Sequence, residues 1–298
     1  MKIDDTRAWQ NAVLDEVFVA IATAPELAKN LVFKGARILA RHVPDAARQS
    51  LDLDANITQE FLGNYPESRQ QAAVLAERLR SALGQHFEAA LPVRYELESV
   101  RVDPKPPGGH PRGWTALQAQ IRVRDLSRPG ARGLPALTLD LAAPESLSEH
   151  STTTLDIGGQ KVTAYTLERI AGEKLRAFLS TTPVHQAKKA GTRETIRVKD
   201  LPDLARIVGH APLTDRGFWR LAGEEFRLAC ESRGVDCAGW STFDAVKALA
   251  RETYGKDATV AATVPFDEAW SVVRRIVERF GEEGVVPFEF PLPERVGS

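Results

Sequence analysis

Trp9, Val13, Val17 and Ile21 recur four residues apart among more polar neighbours, the spacing of one face of an α-helix. Pro25 opens a second short helix that the pattern carries to about Leu31, and Val32-Phe33 leads into a turn at Lys34-Gly35-Ala36. A helix is predicted from Ala36 to His42. Then the period changes. In Ser50-Leu51-Asp52-Leu53-Asp54 side chains alternate as across a strand, so Ser50, Asp52, Asp54 and Asn56 share one face while Leu51, Leu53 and Ile57 take the other. A long helical run over 66–87 follows, carrying Ala73, Leu75, Leu79 and Leu83.

From Val93 the alternation returns in three segments, Val93-Tyr95-Leu97, Leu117-Ala119-Ile121-Val123 and Leu137-Leu139-Leu141. The connections at 104–113 and 127–133 are rich in Pro, Gly and Arg, as in exposed loops between antiparallel strands. A last strand pair over 153–162 brackets Gly158-Gly159. Beyond Thr166 the pattern is helical, with runs at 167–180, 199–209, 214–233, 241–254 and 265–281. The chain divides into a mixed part, 1–163, and a helical part, 164–298. The tail after Pro287 reads equally as ordered or frayed.

At 298 residues, 43% of them hydrophobic and 27% charged, the chain can bury a sizeable core. Its 39 lysines and arginines nearly cancel 40 aspartates and glutamates, so any surface for a polyanion must be local. Cys230 and Cys237 read as reduced, packed thiols without metal-ligand spacing. No basic leader and no run of eighteen apolar residues is present, which makes a cytoplasmic protein without membrane association the expectation. No Walker loop, nucleophile elbow or dinucleotide fingerprint occurs.

Asp52 and Asp54 carry the sharpest chemical signal, because two carboxylates on one strand face repel unless a cation lies between them. Two readings stand: a divalent metal site, or the polar face of a half-exposed strand. Asp140, on the polar face of another strand, would add a third carboxylate, and three on neighbouring strands suit phosphoryl or nucleotidyl transfer. Lys174 falls inside the apolar stripe Leu167, Ile170, Ala171, Leu175 and Phe178, either as a packed stem with a snorkelling ammonium or as a cation facing a cleft. Asp200 and Asp203 open a helix, where acids also serve as caps. Gly35 would let a phosphate approach a helix N-terminus. Lys188, Lys189, Arg193 and Arg197 make a locally basic run, either a solvated face or a nucleic-acid track.

Four blocks in order, Phe33-Lys34-Gly35-Ala36, Ser50-Leu51-Asp52-Leu53-Asp54, Tyr165-Thr166-Leu167-Glu168 running into Glu173-Lys174-Leu175-Arg176-Ala177, and Lys199-Asp200-Leu201-Pro202-Asp203-Leu204, resemble the AbiEii/AbiGii toxin family of nucleotidyltransferases, which includes the mycobacterial MenT-like toxins. The resemblance implies an α+β fold: a polymerase-β-like nucleotidyltransferase core with a mixed or antiparallel sheet and a helical C-terminal lobe that completes the cleft. It implies the toxin of a toxin–antitoxin or phage-defence pair, using Mg2+ or Mn2+ to move a nucleotide, often a pyrimidine, from an NTP to the 3′ acceptor end of tRNA. A cognate antitoxin would be the partner. The alternatives are a protein hydroxyl or small molecule as acceptor, or an inert fold that binds RNA or a partner.

Carried over by motif, Asp52 and Asp54 are the expected metal pair with Asp140 as third ligand, and Lys174 the lysine at the triphosphate. Asp200 is the late essential acid. Lys34, Gly35, Ala36 and Ser50 would hold the nucleotide, Ser50 also being a target for regulatory phosphorylation. Lys188, Lys189, Arg193 and Arg197 would meet the RNA. Two departures stand out: Ala36 follows Gly35 where the family usually has Gly or Ser, and Pro202 replaces a frequent tyrosine.

Overall fold

The structure, a computed structural model, describes residues 3–44, 51–105, 116–128, 130, 134–142, 145–189, 196–257, 260 and 263–292. Helices α1 (Ile3–Thr23) and α2 (Pro25–Ala28) precede strand β1 (Leu31–Lys34) and helix α3 (Gly35–His42). Next come β2 (Asp52–Ile57), α4 (Gln59–Asn64), α5 (Ser68–Ala89), β3 (Tyr95–Pro104), β4 (Ala116–Asp125), β5 (Leu137–Ala142), β6 (Thr152–Ile157) and β7 (Gln160–Tyr165). The rest is helical: α6 (Leu167–Leu179), α7 (Pro183–Lys188), α8 (Asp200–His210), α9 (Arg216–Glu231), α10 (Trp240–Asp244), α11 (Lys247–Lys256) and α12 (Phe266–Glu282).

Seven strands form one sheet in the order β3-β4-β5-β2-β1-β7-β6. The β3-β4-β5 meander is antiparallel, as the loop composition predicts. The pairings β5 with β2 and β1 with β7 are parallel, so the sheet is mixed. Alternation gives it two unlike faces. On β5, Leu137, Leu139 and Leu141 are buried while Thr138, Asp140 and Ala142 are half-buried. The buried leucines lie in register with Leu53, Ala55, Leu117, Ala119 and Ile121, and α1 and α5 cover the sheet. The opposite face carries the aspartates.

Two expectations are corrected. Leu31 to Lys34 is an interior strand, not a helix end and a turn; it is buried on both faces and so shows no alternation. The run 241–254 is broken into α10 and α11, and α7 is an added helix with Pro183 at its first position. In the tail, for which the sequence left both readings open, Phe288 pairs with Cys237 in an isolated bridge. Both cysteines are free and buried.

The helical part is joined to the sheet side by buried charge. Arg169, fully buried on α6, bonds Glu145 and Glu225 at 3.0 Å each, and Glu145 also accepts from Arg176 at 3.2 Å and Arg233 at 2.9 Å. Burial works against an ionised Glu145, but Lys34, Arg176 and Arg233 outweigh it and hold its carboxyl well below the usual range. Helices α6 and α9 approach so closely at Gly172 that a Cβ there would lie 2.6 Å from the Phe226 backbone nitrogen.

Candidate active site

Pairing register assembles the acidic face. Lys34 on β1 lies opposite Asp54 on β2, Asp54 opposite Asp140 on β5, and Asp140 opposite Gln118 on β4. Directly paired residues point to one side of a sheet, so this row and Asp52 share a surface. One carboxylate oxygen each from Asp52, Asp54 and Asp140 lies within 4.8 Å of the others. Burial and the neighbouring Asp52 and Asp140 push the Asp54 carboxyl up to about 6, against the pull of Lys34 and Arg197.

These three residues fit a hard divalent cation. The donors are all carboxylate oxygens, the set preferred by Mg2+ and Mn2+, and the raised Asp54 carboxyl marks negative charge that lacks compensation. Oxygens on a single Mg2+ sit at most ~4.2 Å apart, twice the ~2.1 Å ligand distance, and the three oxygens, within 4.8 Å of one another, are gathered on that scale.

Gly35 adjoins this cluster at the start of α3 with φ +83, where a Cβ would lie 2.2 Å from Asp54 Oδ2. Only glycine fits, on both counts. Lys34 gives α3 no side-chain cap, so the first-turn N–H groups remain suited to an anion. The Lys34 ammonium stands 3.4 Å from Glu173 and 5.6 Å from the Tyr165 ring centre. Burial opposes its charge, but Glu173 and Glu145 prevail and raise its affinity for the proton. Arg37 of α3 bonds Asp15 at 2.6 Å and Asn11 at 2.8 Å, and the charge of Asp52 acts on it.

Lys174 is buried, with its ammonium 2.6 Å from Asp203 and 3.2 Å from Asp200. It meets the strand cluster through a relay. Arg197 bonds Asp200 through Nε, its backbone N–H donates to Thr181 Oγ1 at 2.8 Å, and its charge reaches Asp54. Burial opposes the Asp200 charge, but Arg197 and Lys174 hold its carboxyl far below the usual range. Asp200 is thus an ion-pair partner for two cations and not merely a helix cap. Lys188 lies elsewhere: its ammonium is engaged by Asp236 at 2.7 Å, Gly234 O at 3.0 Å and Phe290 O at 2.5 Å, which fixes the C-terminal segment. Lys189 is the C-cap of α7. Ser50 and Arg193 lie outside the described residues.

Several site residues carried no signal in the sequence. Lys105 donates to both oxygens of Asp140, at 2.9 and 3.1 Å, and Gln118 Nε2 donates to Oδ1 at 2.8 Å. Both depend on the strand register, which alternation alone does not reveal. Beside them a groove of about 940 Å3 is lined by Arg69, Arg101, Lys105, Gln118 and Gln120.

Residues 17–279 match the family model described as nucleotidyl transferase AbiEii toxin, type IV TA system. The chain belongs to this family. Membership in the AbiEii family makes it a toxin nucleotidyltransferase of a toxin–antitoxin system, and the fold agrees. The structure of JHP933 from Helicobacter pylori is 13% identical with a TM-score of 0.54, covering 95% of this chain and 94% of that one. A second H. pylori protein, assigned as a nucleotidyltransferase, is 13% identical with a TM-score of 0.53, covering 95% and 97%. MenT4, a nucleotidyltransferase toxin of Mycobacterium tuberculosis, is 16% identical over 92% of each chain, with a TM-score of 0.42. No curated protein matches the sequence. Among the described residues no helix is long and apolar enough to cross a membrane.

Proposed function

We propose that this AbiEii protein is a divalent-metal-dependent enzyme that transfers a nucleoside monophosphate from an NTP, with a pyrimidine favoured, to the 3′ acceptor end of tRNA, acting in the cytoplasm to block translation. The observation that carries the reading is the Asp52, Asp54 and Asp140 trio beside a glycine-opened helix. Bound Mg2+ or Mn2+ would supply charge neutralisation at the phosphates, held by Asp52 and Asp54.

The chain's own residues divide the work by side. The N-terminus of α3, with Lys34, Gly35 and Ala36, receives the triphosphate, since its N–H groups and Lys34 favour anionic oxygens. Arg197 adds positive charge toward the same cluster, while Lys174 fixes Asp200 and, through it, the Arg197 guanidinium. Asp140 faces the acceptor, beside the groove lined by Arg69, Arg101 and Lys105. The acceptor 3′-oxygen attacks the α-phosphorus, its proton passes to Asp140, the bond from the α-phosphorus to the bridging oxygen breaks, and pyrophosphate leaves.

The experiment is incubation of the protein with α-labelled NTPs, Mn2+ and total tRNA. Label is expected in the RNA, lost with Asp52→Ala, and strongest with a pyrimidine nucleotide. Label that appears only in protein or in small products would reassign the acceptor. Equal labelling by wild type and Asp52→Ala would remove the assignment of the cluster.

A further inference from the structure

We propose that this site holds one divalent cation, on Asp52 and Asp54, and that the Lys105 ammonium seated on Asp140 takes the place of a second. The inference rests on the nucleotidyl-transfer reading above and deepens it. A two-metal site would use the third carboxylate to share a second ion between the enzyme and the attacking oxygen. Here that carboxylate is already engaged.

The three carboxylates differ in their partners. Both oxygens of Asp140 accept from Lys105, and Oδ1 accepts from Gln118 as well. Asp54 forms no hydrogen bond among the described residues, and its two nearby cations are held elsewhere: Lys34 by Glu173, Arg197 by Asp200. Positive charge is therefore missing at the Asp54 end of the cluster and present at the Asp140 end. A dication entering at Asp140 would have to displace Lys105 or lie against it, and like charges that close repel strongly.

Lys105 suits this part by its position. It follows the last residue of β3, and its backbone N–H donates to Ala116 O at 2.8 Å, which anchors its origin. An ammonium has three N–H donors, and Asp140 takes two, so the third is available to an acceptor oxygen in the adjoining groove. Unlike a metal ion, it orients that oxygen without greatly lowering its pKa.

The test counts ions, with turnover as a separate readout. Full-length protein with a non-hydrolysable α,β-methylene NTP is titrated with Mn2+, and bound ion is measured by electron paramagnetic resonance. One Mn2+ per chain is expected for wild type and for Lys105→Arg, which keeps the cation, and two for Lys105→Ala. Lys105→Ala combined with Asp140→Asn should return the count to one. Two ions in wild type would overturn the proposal and leave the nucleotidyltransferase reading standing, as would a single ion in Lys105→Ala. No Mn2+ bound to any variant, with no NTP incorporation, would overturn both.

Discussion

The molecule holds two groups of aspartates in opposite electrostatic states. Asp52, Asp54 and Asp140 sit half-buried on a sheet face, and burial plus mutual repulsion raises the Asp54 carboxyl to about 6. Asp200 and Asp203 are fully buried, yet Arg197 and Lys174 hold Asp200 ionised against its desolvation. Asp200 is more deeply buried than Asp54 and yet the more firmly charged. Burial alone does not decide protonation; what decides it is whether the fold supplies the counter-charge or leaves it to a ligand. By that measure the strand cluster is incomplete without a cation and the helix cluster is complete.

The largest expected effect removes the incomplete group's capacity for a cation. Asp54→Asn should lower NTP incorporation by ~10^3 or more, as expected for losing several kcal/mol of charge stabilisation. It should leave the melting temperature unchanged or raised, because a repulsive buried charge is gone. Gly35→Ala should cost ~10^2 in rate, since its Cβ would occupy the space of Asp54 Oδ2 and displace the carboxylate.

The mirror experiment is Asp203→Ala. With Lys174 left one carboxylate short in a buried site, stability should fall by ~3 kcal/mol or more in chemical denaturation. A neutral outcome there would erase the contrast between the two groups.

pH offers a gentler test. Asp54 is protonated below about 6, so activity should fall as pH drops through that value, and the fall should move to lower pH as Mn2+ is raised. The stability contributions run in opposite directions. Asp54, with its folded value raised, binds more protons folded than unfolded between about 4 and 6, so its contribution weakens as pH rises through that window. Asp200, with its folded value lowered, contributes above its ordinary 3.8 and loses that contribution only as pH falls below it. A pH titration of the denaturation midpoint in wild type, Asp54→Asn and Asp200→Asn separates the two.

The smallest effect concerns Lys188. Lys188→Ala should cost about 1 kcal/mol through its lost bonds to Asp236 and Phe290 O, with tRNA affinity unchanged.

Much of this was readable from the chain alone. Alternation located β4 and β5, and the Ser-Leu-Asp-Leu-Asp motif gave the carboxylate face of β2 with its correct partner surface. Lys174 stood out because an ammonium interrupted an apolar stripe, and its counter-ions, Asp200 and Asp203, were themselves singled out. What stayed hidden depended on long-range pairing. The strand β1 is four residues buried on both sides, so it carries neither period. The break between α10 and α11 falls at Ala245-Val246, where no proline or glycine marks it. The Lys105 contact and the Arg169, Glu145 and Glu225 network join residues whose sequence separation conceals them. The basic run at 188–199 looked uniform, yet Lys188 and Arg197 serve separate ion pairs.

The parallel pairing of β2 with β5 has a consequence for biosynthesis. Asp54 emerges from the ribosome early, but its neighbour Asp140 follows only after the β3-β4 hairpin, and Asp200 later still. A growing chain therefore carries no assembled centre until most of its length has been made. For a toxin nucleotidyltransferase, the order of strands ties the appearance of the carboxylate trio to the completion of β5, so a chain stopped short of residue 140 lacks it.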